Sequence, residues 1–207
     1  MDEQRFLFLD FEFTMPQHRK KPKGFFPEII EVGLVSVVGC KVEDTYSSHV
    51  RPKTFPSLTD RCKKFLGIKQ EIVDKGISFP ELIDKLAEYE KRCKPTIVTW
   101  GNMDMKVLKH NCEMSGVAFP FFGQCRDLSL EYKKFFGERN QTGLWKAIEA
   151  YGKVGTGKHH CALDDAMTTY NIFKLVEKDK EYLVKPAPPT LGELVDFSKV
   201  LKKVSTQ

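Results

Sequence analysis

Two strand-length apolar runs near the N-terminus constrain this chain more than anything else in it. Residues 6–13, Phe6-Leu7-Phe8-Leu9-Asp10-Phe11-Glu12-Phe13, are rich in aromatic side chains, which favour extended backbone because they pack well on a pleated surface. Residues 29–38 are dominated by Ile and Val and predict a second strand. Gly39 marks a turn, and residues 41–50 predict a third strand, so an antiparallel meander is expected. The stretch 14–27 between the first two strands holds Pro16, Pro22, Gly24 and Pro27 and reads as a loop. The texture then changes. Short helices are expected at 57–66 and 69–75, split by Gly67-Ile68, and Ser78-Phe79-Pro80-Glu81 has capping-box spacing that opens a helix running to about Cys93. A buried-type strand at 96–100, a helix at 102–115 ended by Gly116, a weak strand at 124–128, and helices near 129–136, 143–151 and 162–178 complete the pattern. Hairpin-like strands followed by alternating strands and helices predict an α/β fold: a mixed five-stranded sheet, three antiparallel strands then parallel ones, flanked by helices.

The 207 residues fit one domain with a short appendage. Residues 1–184 form the expected domain. Pro186-Ala187-Pro188-Pro189 breaks the chain, and 185–207 is expected to be an extension with a short helix at 191–204. With 41% hydrophobic residues the chain can bury a core without disulfide or metal staples and is too apolar for a disordered protein. No apolar run approaches the ~18–20 residues of a membrane helix. Met1-Asp2-Glu3-Gln4-Arg5 lacks the basic-then-apolar layout of a signal peptide, and the six cysteines form no C-x-x-C pair, so a cytoplasmic protein with reduced thiols is expected. Lys and Arg total 33 against 28 acids, a net charge of +5 that hints at a polyanionic partner and decides nothing alone.

The chemistry lies in three acidic signals. Asp10 and Glu12 are two apart on a strand and so share one face. Two like charges among Phe and Leu are costly unless the face is solvated or a divalent cation neutralises them. Asp104 stands just after the strand ending at Trp100, at the start of a helix, where it serves either the helix amides or a ligand at the strand's carboxyl end. His159-His160-Cys161-Ala162-Leu163-Asp164-Asp165-Ala166 opens a helix. It reads as capping, as zinc binding with unusual ligand spacing, or as a proton acceptor beside a metal-binding acid. His159 with Asp164 and His160 with Asp165 are both five apart, so spacing does not choose between them.

In this order the three elements resemble the DEDDh 3′–5′ exonucleases of the ribonuclease-H-like fold. The D-x-E motif followed by Thr is matched by Asp10, Glu12 and Thr14, the second acidic position by Asp104, and the H-x-A-x-x-D-A motif by His160, Ala162, Asp165 and Ala166. The resemblance covers about residues 5–183 and selects His160 and Asp165. Phe65-Leu66-Gly67-Ile68-Lys69-Gln70, with Val73 and Phe79, and Glu28-Ile29-Ile30-Glu31-Val32-Gly33 are similar to the subfamily that trims histone mRNA and small interfering RNA. The 15–27 loop and the tail after Pro186 resemble a bacterial subgroup named for inhibiting a sporulation-kinase pathway.

The resemblance implies metal-dependent hydrolysis of terminal phosphodiesters, RNA favoured, releasing nucleoside 5′-monophosphates from a single-stranded 3′ end. Asp10, Glu12, Asp104 and Asp165 would hold two divalent ions, Mg²⁺ or Mn²⁺, roughly 4 Å apart, with Asp10 bridging them. His160 would take the proton of the attacking water. Phe13, Thr14, Met103, Leu66 and Phe135 would contact the terminal nucleotide. The basic runs Arg19-Lys20-Lys21-Pro22-Lys23, Lys63-Lys64 and Lys133-Lys134 are candidate phosphate contacts. The first leaves directly from the strand that carries Asp10 and Glu12, and 14–27 contains no acid. Two other readings stand beside this one. A haloacid-dehalogenase-type phosphatase would share Asp10-x-Glu12-x-Thr14 and leave His160 without a task. A regulatory module on an exonuclease fold would bind nucleic acid or a protein partner without turnover.

Overall fold

The computed structural model describes residues 4–184. Its five strands are β1 (Arg5–Phe13), β2 (Ile29–Val38), β3 (Lys41–His49), β4 (Thr96–Thr99) and β5 (Cys125–Asp127). They form one sheet in the order β3-β2-β1-β4-β5, with β1–β2 and β2–β3 antiparallel and β1–β4 and β4–β5 parallel. This is the mixed five-stranded sheet expected. The helices are α1 (Asp60–Leu66), α2 (Gln70–Asp74), α3 (Phe79–Cys93), α4 (Met103–Ser115), α5 (Leu128–Phe136), α6 (Leu144–Ala150) and α7 (Ala162–Val184). The capping box at the head of α3 forms in both directions, Ser78 Oγ accepting from the Glu81 amide and the Glu81 carboxylate from the Ser78 amide. Residues 14–27 contain no helix or strand.

A first compact unit ends at Lys174, and a second begins at Leu175, of which the described part is the helical stretch to Val184. The expected helix at 191–204 lies outside the described residues. Among the described residues no helix is long and apolar enough to cross a membrane.

Alternation along β1 sets up everything that follows. Leu7, Leu9 and Phe11 point to one face and join Leu82, Leu86, Val107 and Leu108 of α3 and α4 in the main core. Phe6 and Phe8 point the other way, to α7: their ring centroids lie 4.9 and 5.2 Å from Phe173, and Phe8 lies 5.1 Å from Tyr170. Asp10 and Glu12 continue that second face. Two residues of strand advance about 6.6 Å, and five residues of helix about 7.5 Å. Stepping from Phe8 to Asp10 on β1 therefore keeps pace with stepping back from Tyr170 to Asp165 on α7. The first two turns of α7 are thereby carried to the carboxylates.

Gly33 makes this approach close enough. It pairs with Asp10 across the sheet, and a Cβ there would sit 2.0 Å from the Ala162 carbonyl carbon and 2.1 Å from the Leu163 nitrogen. The start of α7 rests directly on the backbone of β2, which only glycine permits. Next to it, the carboxylate of Glu31 accepts the Ala162 amide at 3.2 Å, satisfying one of the free donors of the helix start.

Candidate active site

β1 outlasts its parallel neighbour: pairing with β4 stops at Phe8–Val98, and Phe11 is left with an unused amide. Asp104, in the first turn of α4, fills this gap, its Oδ1 accepting the Phe11 N–H at 3.1 Å. The carboxylate of Asp104 is thus held on the backbone of Phe11, in the same cleft as Asp10 and Glu12, at the end of the central parallel pair, where open α/β sheets carry ligands. Asn111 secures the same helix from further along, accepting from the Ile29 amide at 3.0 Å and donating to the Pro27 carbonyl at 2.8 Å.

Asp165 arrives from the opposite side on α7. Its Oδ1 accepts from Trp145 Nε1 at 2.7 Å and its Oδ2 from the His160 amide at 3.2 Å. Trp145 is in turn packed beneath Gly155, where a Cβ would stand 2.6 Å from the indole. The two aspartates that spacing left open have different partners. Asp164 turns away and caps its own loop, accepting the Lys158 amide at 2.8 Å, under a Gly157 whose Cβ would overlap its carboxylate.

His160 sits in the left-handed region with φ 62°, which aims its ring across the helix mouth. Its Nδ1 lies 3.8 Å from Glu12 Oε1, and its ring stacks on His159 at 3.9 Å and lies 4.2 Å from Phe65. His159 is exposed and leans on Trp145, whereas His160 is half-buried. Both histidines can bring a ring nitrogen within 4.8 Å of Asp165, so the zinc-like trio of side chains is also close. It lacks Cys161, and it shares Asp165 with the acidic cluster.

These groups line a cleft of about 240 Å³ with Phe13, Phe65, Trp100 and Leu144, and among the described residues no lysine or arginine lines it. Carboxylate oxygens of Asp10, Glu12 and Asp165 come within 4.8 Å of one another. Burial and the neighbouring acids push all four carboxyls up: Asp10 well above its ordinary range, Glu12 to about 8, Asp104 to about 7, and Asp165 upward chiefly by burial. The hydrogen bonds that Asp104 and Asp165 receive oppose this rise without cancelling it. A buried group of hard oxygen donors that holds protons for want of positive charge fits a divalent cation. His160 moves the other way, its pKa lowered by burial and by the charge of His159, which keeps the imidazole neutral at pH 7.

Several expected nucleotide contacts stand elsewhere. Leu66 is buried with Leu58, Cys62, Ile68 and Val73 in a satellite core, because α1 turns its 62/66 side inward. Phe65, one residue earlier and 52% exposed, occupies the cleft wall instead. Thr14 is buried and spends its amide on the Glu28 carbonyl at 2.8 Å and its hydroxyl on the Glu28 amide at 2.9 Å, closing the base of the 15–27 loop. Met103 is exposed beside Asp104, and Phe135 packs edge-on against Phe136; neither lines the cleft. Phe13 does. Trp100, Trp145, Glu31 and the close approach at Gly33 are not among the site residues expected from the sequence. A glycine inside a strand run is the one signal that marked the last of these.

The exonuclease (RNase_T) family model matches residues 7–173. The chain is 57% identical over 205 residues to the probable 3′–5′ exonuclease KapD of Bacillus subtilis (strain 168), covering 99% of this chain and all of that one. It is 32% identical to human 3′–5′ exoribonuclease 1 over 76% of its own length, and spans about half (48%) of that longer relative. Among solved structures, the nuclease domain of 3′hExo, described as a DEDDh family member bound to rAMP, superposes with a TM-score of 0.76 at 29% identity, covering 86% of this chain and 93% of that domain. Full-length similarity to a named exonuclease, with the five motif residues gathered in one cleft, favours the enzyme over the regulatory-module reading. Divalent metals serve this family, and the acidic cluster suits them. The chain belongs to the DEDDh 3′–5′ exonuclease family.

Proposed function

We propose that the chain removes nucleotides from the single-stranded 3′ end of RNA, with Asp10, Glu12, Asp104 and Asp165 holding two Mg²⁺ or Mn²⁺ ions. The observation that carries this reading is the convergence of Asp10, Glu12 and Asp165 oxygens within 4.8 Å in a cleft that, among the described residues, no lysine or arginine lines. When bound, the ions neutralise the phosphate, lower the pKa of a water and stabilise the departing 3′ oxygen. Asp10 shares its strand face with Glu12 and would be one of the ligands holding the ions.

The chain's own groups supply the rest. His160 accepts the proton of the attacking water, which requires the neutral ring that burial favours. Glu12 Oε1, 3.8 Å from Nδ1, would stabilise the imidazolium by its charge once it forms. Trp145 and the His160 amide fix both oxygens of Asp165, so the ligand does not swing when charge develops. Phe65 and Trp100 offer ring faces for the terminal base, a contact that tolerates any base, and Phe13 lines the cleft beside them. Leu66, Thr14 and Phe135 are not assigned to the nucleotide, because their packing turns them elsewhere. RNA is favoured by the similarity to exoribonucleases. Purified protein digesting 3′-labelled RNA and matched DNA with Mg²⁺ or Mn²⁺ tests the reading; both strands left intact would sink it.

A further inference from the structure

We propose that the loop 15–24 and the outer side of α1 form one cationic track for the body of the substrate strand, upstream of the bond that is cut. Arg19, Lys20, Lys21, Lys23, Lys64 and Lys158 would contact successive phosphates along it. This rests on the exonuclease reading of the cleft and adds the course of the strand beyond it.

The loop is held, not loose. Its base is the reciprocal Thr14–Glu28 pair, and its first half is laid along α1 by three bonds. Thr59 Oγ1 donates to the Met15 carbonyl at 2.9 Å, the Arg61 amide to Gln17 Oε1 at 3.3 Å, and Arg61 Nη1 to the Pro16 carbonyl at 3.4 Å. At its far end the Phe25 amide donates to the Pro22 carbonyl at 3.1 Å across Gly24, whose φ of +79° only glycine accepts readily; this turn presents Lys23 outward. The loop follows directly on Phe13, and Phe65 is the next-to-last residue of α1; both line the cleft. Lys158 closes the near end, its Nζ 2.8 Å from where a Cβ would stand on Gly67, the cap of α1.

The charge pattern gives the wall its partner. Residues 17–24 are exposed, no acid lies between Thr14 and Pro27, and among the described residues no ion pair engages Arg19, Lys20, Lys21, Lys23, Lys64 or Lys158. Lys63, by contrast, is held by Asp60 at 2.8 Å. The cleft next door is acidic, so a polyanion whose last phosphate enters it is repelled there and attracted over the wall. Ordering the loop in advance lowers the entropic cost of each phosphate contact.

Equilibrium binding of a single-stranded RNA of about ten nucleotides, titrated against salt in the presence of a chelator, tests the track. The R19A/K20A/K21A/K23A variant should bind at least about tenfold more weakly at low salt, and its log–log salt slope should fall by about 3, at roughly 0.7 for each phosphate no longer neutralised. K91A/R92A, which removes charge from the last turn of α3 ahead of β4, should leave the slope unchanged. Turnover of a dinucleotide, too short to reach the loop, should be alike in parent and loop variant, while KM for the longer RNA rises. An unchanged slope in the loop variant, or an equal fall in K91A/R92A, overturns the track. A parent that cleaves neither substrate overturns the exonuclease reading, and the salt slope still decides the track.

Discussion

Glu12→Gln should stabilise the metal-free protein while weakening its response to metal. Glu12 is 7% exposed, faces three other acids and has its pKa raised from 4.5 to about 8, by burial first and then by Asp165, Glu31 and Asp104. The folded state therefore binds a proton that the unfolded chain releases near pH 4.5. Stability from this group is complete below about pH 4.5 and is lost as pH rises through about 8. At pH 7 the mismatch costs about 3 kcal/mol, since each pKa unit is worth about 1.4 kcal/mol. Glutamine copies the protonated shape and does not titrate, so the chelated variant should melt about 6–12 °C above the chelated parent at pH 7, at about 2–4 °C per kcal/mol for a domain of this size. The gap should shrink toward pH 5. Adding Mg²⁺ favours the ionised acids, so it should raise the parent's melting temperature and raise the variant's less. Thermal melts at several pH values, with and without metal, read all of this. A chelated variant no more stable than the parent between pH 5 and 8 would refute the picture of a charge-starved acidic cluster.

Other substitutions separate chemistry from scaffolding. His160→Asn keeps a residue that tolerates the left-handed backbone and removes the proton acceptor, so kcat should fall by about 10²–10⁴ with the metal-induced rise in melting temperature retained. Asp165→Asn should abolish most metal-dependent turnover, whereas Asp164→Asn should keep turnover within a few-fold and cost about 1 kcal/mol, because the Lys158 amide and the Cys161 thiol lose a charged partner outside the acidic cluster; equal activity losses in the two would undo their separation. Gly33→Ala drives a methyl into the Ala162 backbone, so unfolding should become easier by about 3 kcal/mol or more and activity should fall as the start of α7 lifts away; denaturant melts and turnover check both.

The sheet was legible from side-chain chemistry alone because its strands are marked at both ends. The Ile/Val-rich run at 29–38 coincides with β2, Gly39 makes the turn at φ 59°, and the Gly116 and Gly67 stops close α4 and α1 in the left-handed conformation. Asp10 and Glu12 share a face because a strand alternates. The motif resemblance picked Asp165 and His160, whose separation from Asp164 and His159 depends on loop partners far too local for periodicity to see.

The misplaced nucleotide contacts have physical causes. Phe65 and Leu66 are neighbours in sequence but about 100° apart around a helix, so only one of them can face the cleft. The four-residue spacing of Leu58, Cys62 and Leu66 already marks the inward side and leaves Phe65 outward. Thr14 is withdrawn by a different effect. Its burial follows from the pairing with Glu28 across fourteen residues of loop, a closure that no local signal announces. Trp100 and Trp145 read as ordinary aromatics until the fold sets one in the cleft lining and the other against Asp165.

Metal-dependent removal of single nucleotides from a 3′ end is the activity that the acidic cleft and His160 together support. A time course with 5′-labelled single-stranded RNA and Mg²⁺ should give a ladder shortening one residue at a time, with nucleoside 5′-monophosphates as the released product and no shortening in chelator or with Asp10→Asn. Internal cuts, release of 3′-phosphates, or equal shortening in chelator would contradict it.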